Sequence, residues 1–228
     1  MMYATQVRPG SIHSGLLGGL VWIDPKLTRF ELHPGLEEPT GNWATPAKVP
    51  EDVRLTLIVA FNGDFRVKDS KGGFFLEGKT PIPLRVGAAS FVITNDGAAT
   101  VGQWGRDVTM QPNVVAVRPE PRSHRRWWST GRRSRQQRQR QVGSHLRQQG
   151  AGLGALALAE LMTRAGCERA MELDINEVWT NFNFYGAQTP GDPASVIGTK
   201  LLPEQHKPAS RYLSNDARDF IAVFNRNP

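Results

Sequence analysis

The chain has 228 residues, enough for one large domain or two small ones with an ample core. Its formal net charge of +7 would ordinarily point to an acidic partner. A single cysteine, Cys167, excludes an internal disulfide and a cysteine metal cluster, and reads as a small core residue. No apolar run reaches the ~18 residues that a membrane-spanning helix needs. The first ten residues lack a signal peptide's charged start and apolar core, which predicts a cytoplasmic chain as written.

Residues 1–117 read as β-rich. The apolar run 16–23 ends at the Asp24-Pro25 turn. Residues 55–61 form a continuous apolar run, the pattern of a strand buried on both faces, stopped by Asn62-Gly63-Asp64. Strands over 90–94 and 98–104 flank Asn95-Asp96-Gly97, a hairpin signal. A short strand follows over 114–117, and the Pro- and Gly-rich stretch 33–50 reads as loop.

The segment 118–147 holds ten arginines and one acid, Glu120, with the adjacent pair Trp127 and Trp128. Outside it remain 18 of the 28 basic residues and 20 of the 21 acidic ones, a net of −2. The chain is a mildly acidic protein with one basic insert. As a binding arm, the insert would neutralise phosphates and stack bases on its indoles. A nucleic-acid binder more commonly spreads its charge over a folded face.

Residues 155–165 are rich in Ala, Leu and Met, and Gly166 supplies a C-cap, so a helix is predicted there. A strand is expected over 169–176. Met171, Leu173 and Ile175 point one way and Glu172, Asp174 and Asn176 the other. After Tyr185 the chain reads as loop-like, through 189–193 and 202–210, and closes on a final strand over 220–224. The whole is an α+β fold in one domain spanning 1–228. It has a mostly β core, one clear helix, and an irregular or disordered central segment at 118–150.

Two groups of residues carry candidate chemistry. Asn62 and Asp64 lie where a buried strand delivers a polar turn, a common way to aim side chains into a cleft. They are equally the residues expected in an ordinary turn. Glu172, Asp174 and Asn176 put two carboxylates and an amide on one strand face. That is the equipment of glycosidic cleavage, or a solvated outer face. The glycines at 150, 152 and 154 lack dinucleotide-fingerprint spacing, and the five histidines lack metal-ligand spacing. His13 and His33 read as surface or turn residues. No cofactor is implied.

Several ordered segments resemble the phosphodiester glycosidase family. They are Leu-Ile-Val-Ala-Phe-Asn-Gly-Asp-Phe over 57–65 with Gly-Gly-Phe-Phe over 72–75; the hairpin 89–107, as in actinobacterial-type members; Ala-Met-Glu-Leu-Asp-Ile-Asn over 170–176; and the tail 201–224. Asp64 stands where that family has glycine, and Ile175-Asn176 replaces glycines after Asp174. The resemblance implies a glycosidase-like hydrolase acting on a glycosyl phosphodiester or related glycoside. Asp174, Glu172 and Asp64 would be catalytic, and Asn62 and Asn176 would bind substrate. It also implies a carbohydrate or glycosyl-phosphate partner and an exported parent protein. The competing classes are a nucleic-acid or anionic-polymer binder working through 118–147, and a non-catalytic carbohydrate or cell-wall binder.

The resemblance lapses over 118–150. Read one base later, the codons of Trp127-Trp128-Ser129 force Gly-Gly. The family's Val-Asp-Gly-Gly turn is then among the permitted readings. A frameshift over about 119–149 is therefore expected, with an impaired enzyme as its consequence.

Overall fold

The computed structural model describes residues 2–7, 18–63, 72–120, 128–129, 141–146, 161–171, 173, 176 and 178–226. Two five-stranded antiparallel sheets dominate them. The first contains β3 (Thr28–His33), β4 (Leu57–Asn62), β13 (Phe182–Ala187), β14 (Val196–Lys200) and β15 (Phe220–Asn225), in the order β14-β13-β4-β15-β3. The second contains β5 (Phe74–Leu76), β6 (Lys79–Ile82), β7 (Ala89–Thr94), β8 (Ala99–Gln103) and β9 (Val114–Pro119), in the order β6-β5-β9-β7-β8. A third sheet sets β2 (Gly18–Ile23) between β1 (Met2–Val7) and β11 (Gln141–Leu146). A short pair joins β10 (Trp128–Ser129) to β12 (Arg169–Ala170).

The central core lies between the two large sheets. Phe30, Leu32, Val59, Phe61, Ile221 and Val223 of the first meet Phe74, Leu76, Phe91 and Ile93 of the second. Strand β15 is buried on both faces. Its Ile221 and Val223 enter this core, while Phe220, Ala222 and Phe224 face a second cluster with Tyr185, Val49 and Tyr212. That alternation is the period-2 pattern of a strand covered on both sides. In β4 the register against β15 slips between Val223 and Phe224, leaving Ile58 as the extra residue. The bulge turns Leu57 to the outer cluster while Val59 and Phe61 stay inside. Covering that outer face are the 3-10 turns Glu51–Thr56 and Arg211–Leu213.

Much of the expected pattern is present. The 95–97 hairpin forms with Gly97 at φ 75°, and Asp96 Oδ1 accepts from Thr94 Oγ1 (2.6 Å) and the Ala98 N–H (3.1 Å). The turn after 23 is closed by Leu27 N–H donating to Asp24 O. Residues 161–164 are helical and end at Gly166 with φ 82°, while 155–160 lie outside the described residues. Cys167 is buried.

Three expectations differ from the structure. The chain after Tyr185 is loop-like over 189–192 and 202–210 as expected, but between them β14 forms a hairpin with β13. Among the described residues, the expected strand 169–176 is paired over Arg169–Ala170 alone. Beyond it, Met171 and Leu173 still pack against the central core, as the alternation required. His33 is neither a surface nor a turn residue. It ends β3 and is buried, its ring stacked on Phe220 at 4.6 Å. His13 lies outside the described residues.

Candidate functional site

One end of the sandwich gathers polar groups from five chain segments. Asn62 is the last residue of β4, and its antiparallel neighbours begin beside it. Phe182 of β13 registers with Phe61, and Phe220 of β15 with Asn62. The residues just before those strands, Asn181 and Asp219, therefore lie at the same end. Asn62 N–H donates to Asn181 O (3.1 Å), and Asn62 Oδ1 accepts from Asn181 N–H (2.8 Å). The other half of the Asn62 amide, Nδ2, donates to Gly63 O at 3.0 Å. Asn62 is thus a tie between two strand ends and is itself buried.

Behind it, Asn183 Nδ2 donates to Asn181 Oδ1 at 2.5 Å. Among the described residues, Asn181 Nδ2 and Asn183 Oδ1 have no hydrogen-bond partner, and both side chains are fully buried.

Asp219 sits at the junction of the two large sheets. Its carboxylate takes Arg118 Nε on Oδ2 (2.8 Å) and Arg118 Nη2 on Oδ1 (3.3 Å), with both side chains almost wholly out of solvent. Arg118 Nη1 donates to Gly73 O (3.2 Å), and the Asp219 carbonyl accepts the Gly63 N–H (3.0 Å). Arg118 therefore belongs to the core, as part of β9, and not to an exposed basic arm. Pro119 still registers with Ser90, and Glu120 N–H donates to Ala89 O at 2.7 Å.

Asn176 opens a turn. Its Oδ1 accepts the Val178 N–H (3.0 Å), and its carbonyl accepts the N–H groups of Trp179 (2.9 Å) and Thr180 (2.8 Å). This turn runs directly into Asn181, the partner of Asn62. The two expected amides are thus linked through five residues of chain. Asp64, Glu172 and Asp174 lie outside the described residues, as do 150–154. Asp64 follows Gly63 in the chain, and Glu172 and Asp174 flank Leu173.

Trp179, within that turn, collects cations. Lys207 Nζ is 4.1 Å from its ring centre, the Arg218 guanidinium 4.7 Å and the Arg211 guanidinium 5.3 Å. Arg211 is ion-paired with Asp216 through both carboxylate oxygens, and its Nη1 donates to Trp179 O at 3.2 Å. Arg218 precedes Asp219, so this positive cluster adjoins the polar strand ends. Sequence reasoning missed Arg118, Asn181, Trp179, Arg218 and Asp219 as a group. Arg118 was hidden in the arginine run, and the others are adjacent only through sheet pairing. No group of three or more His, Cys, Asp or Glu side chains that could hold a metal ion occurs among the described residues. No helix among them is long and apolar enough to cross a membrane.

The fold built on these two antiparallel sheets resembles that of a phosphodiester glycosidase catalytic domain. The chain superposes over its whole length on the catalytic domain of zebrafish N-acetylglucosamine-1-phosphodiester alpha-N-acetylglucosaminidase, solved in a form auto-inhibited by its pro-peptide. The TM-score is 0.56, sequence identity is 13%, and the match covers 83% of that chain. No protein-family model matches the chain, and no curated protein matches it by sequence. At this identity the likeness establishes the fold.

Proposed function

We propose that the chain is a glycosidase-like hydrolase acting on a glycosyl phosphodiester or a related glycoside. The observation that carries this reading is the coincidence of two things. The fold is shared over the full chain with a catalytic domain of that class. In addition, the end of β4, next to Asp64, and the turn that runs from Asn176 into β13 meet in one buried polar cluster built on Asn62, Asn181, Asp219 and Arg118.

In this reading Asp174, with Glu172 or Asn176, supplies the acid, base or electrostatic group. One carboxyl protonates the departing oxygen, and the other carboxylate opposes the positive charge of an oxocarbenium-like transition state. Asp64, next in the chain after Gly63, assists. Asn62 serves the substrate side from beneath, since its amide is shared between Asn181 and Gly63. The cations around Trp179 lend the neighbourhood a positive potential suited to an anionic substrate.

The same reading holds that residues from Pro119 to about Gln149 are translated out of frame and that turnover is impaired. Its support is the confinement of positive charge to that run and the forced Gly-Gly of the shifted frame. The gene's nucleotide sequence tests it directly. A shifted frame without a Val-Asp-Gly-Gly-type segment ends the idea. The hydrolase reading is tested by release of sugar from an N-acetylglucosamine-1-phosphodiester, with Asp174→Asn as the control variant.

A further inference from the structure

We propose that the buried Arg118–Asp219 pair is the positioning device of this end of the sandwich, gripping Gly63 and Gly73 together. Its catalytic consequence rests on the hydrolase reading; its structural consequence does not.

The pair reaches both residues through different atoms. Asp219 holds Gly63 by its backbone carbonyl, and Arg118 holds Gly73 by Nη1. Gly63 follows β4 and Gly73 precedes β5. The ion pair thus holds Gly73 directly and fixes the main chain at Asp219, whose carbonyl takes Gly63. It also bridges the two large sheets, because Arg118 belongs to β9 and Asp219 leads into β15.

The geometry needs an arginine. Its planar fork sends Nε and Nη2 to the carboxylate and leaves Nη1 aimed at Gly73 O, which a lysine's single ammonium cannot reproduce. It also needs a glycine at 63. A methyl group there would stand 2.7 Å from Asp219 Cγ and 2.8 Å from its carbonyl, and closer still to Oδ2. Burying two charges is costly, and well-packed apolar residues are often as stable. What the pair supplies that an apolar substitute cannot is direction.

The test compares the parent chain with Arg118→Lys and with the double variant Arg118→Met/Asp219→Leu, which keeps the volume buried without the charges. Amide hydrogen exchange is followed over 57–63 and 72–76, with 196–200 as the internal control. Both variants are expected to exchange at least about tenfold faster over the first two stretches while the control is unchanged. With an N-acetylglucosamine-1-phosphodiester as substrate, kcat is expected to fall about 100-fold at near-constant KM. A folded double variant that keeps parental exchange and kcat overturns the proposal. So does Arg118→Lys with parental exchange, should the double variant fail to fold. If the parent releases no sugar, the hydrolase reading falls and the exchange measurement alone decides the positioning role.

Discussion

Asn62 and Asn181 are bound to each other twice, backbone to backbone at 3.1 Å and side chain to backbone at 2.8 Å. The second bond gives a buried N–H the acceptor that the strand ladder no longer provides where β4 ends. Replacing Asn62 by alanine strands that N–H and is expected to cost about 1–3 kcal/mol of stability. Urea unfolding of Asn62→Ala measures it. A change within about 0.5 kcal/mol, ordinary for a surface position, would contradict the tie.

Gly63 and Gly186 make a matched pair for a second prediction. A methyl group on Gly63 runs into Asp219, whereas one on Gly186 meets nothing within 4 Å. Gly63→Ala is therefore expected to lose about 1–3 kcal/mol through overpacking. Gly186→Ala is expected to be close to neutral. Equal thermal shifts in the two variants would be the adverse result.

His33 gives a pH dependence with a definite sign. Burial lowers its pKa from the ordinary 6.5 to about 4, outweighing the opposing effect of its bond to Pro46 O, and nearby Arg29 lowers it further. The ring donates from Nδ1 to that carbonyl (2.9 Å), so the folded state holds it neutral. Because the folded pKa lies below the unfolded one, the full stability is present above pH 6.5. It is lost as pH falls toward 4, by up to about 3 kcal/mol. Glu31 Oε2 lies 3.6 Å from Nε2 but is paired with Arg29, so it offers the ring no dedicated counter-charge. In His33→Phe this part of the acid sensitivity is expected to vanish when unfolding is compared at pH 7 and pH 4.5. An unchanged pH slope would contradict the assignment.

The legible parts of the fold were those whose cause is local. The Asn95-Asp96-Gly97 hairpin writes its own turn chemistry, and the apolar run ending at Phe61 can only be a covered strand. Strand β14 was missed because only Val196 in it is buried, and the rest alternate between exposed and half-exposed at the sheet edge, leaving little apolar signal. In the site, the Asn62 turn and the 170–176 stretch were visible as polar residues beside apolar runs. Their partners were not. Asp219 reaches Arg118 across 101 residues, a distance that sheet topology closes and local pattern cannot reveal. Arg118 was read with the arginines that follow it, although its strand buries it among different neighbours.

Trp179 yields a further prediction. Lys207 Nζ and the Arg218 guanidinium lie within 4.7 Å of its ring centre, so the indole anchors a positive cluster beside the polar strand ends. Lys207→Gln is expected to raise KM for an anionic glycosyl phosphodiester several-fold and to leave KM for a neutral glycoside unchanged. The charged-substrate KM should also climb with salt, as screening of a partly exposed cation demands. Equal effects on the two substrates would remove the cluster from substrate recognition.

Sugar release from an N-acetylglucosamine-1-phosphodiester by the purified chain tests the account most directly. Turnover is expected to be measurable, slower than about 1 per second and so below the common range of enzymes. It is also expected to be abolished in Asp174→Asn. The absence of release above the uncatalysed rate, or release that survives Asp174→Asn, would contradict the assignment of this chain as a glycosidase-like hydrolase.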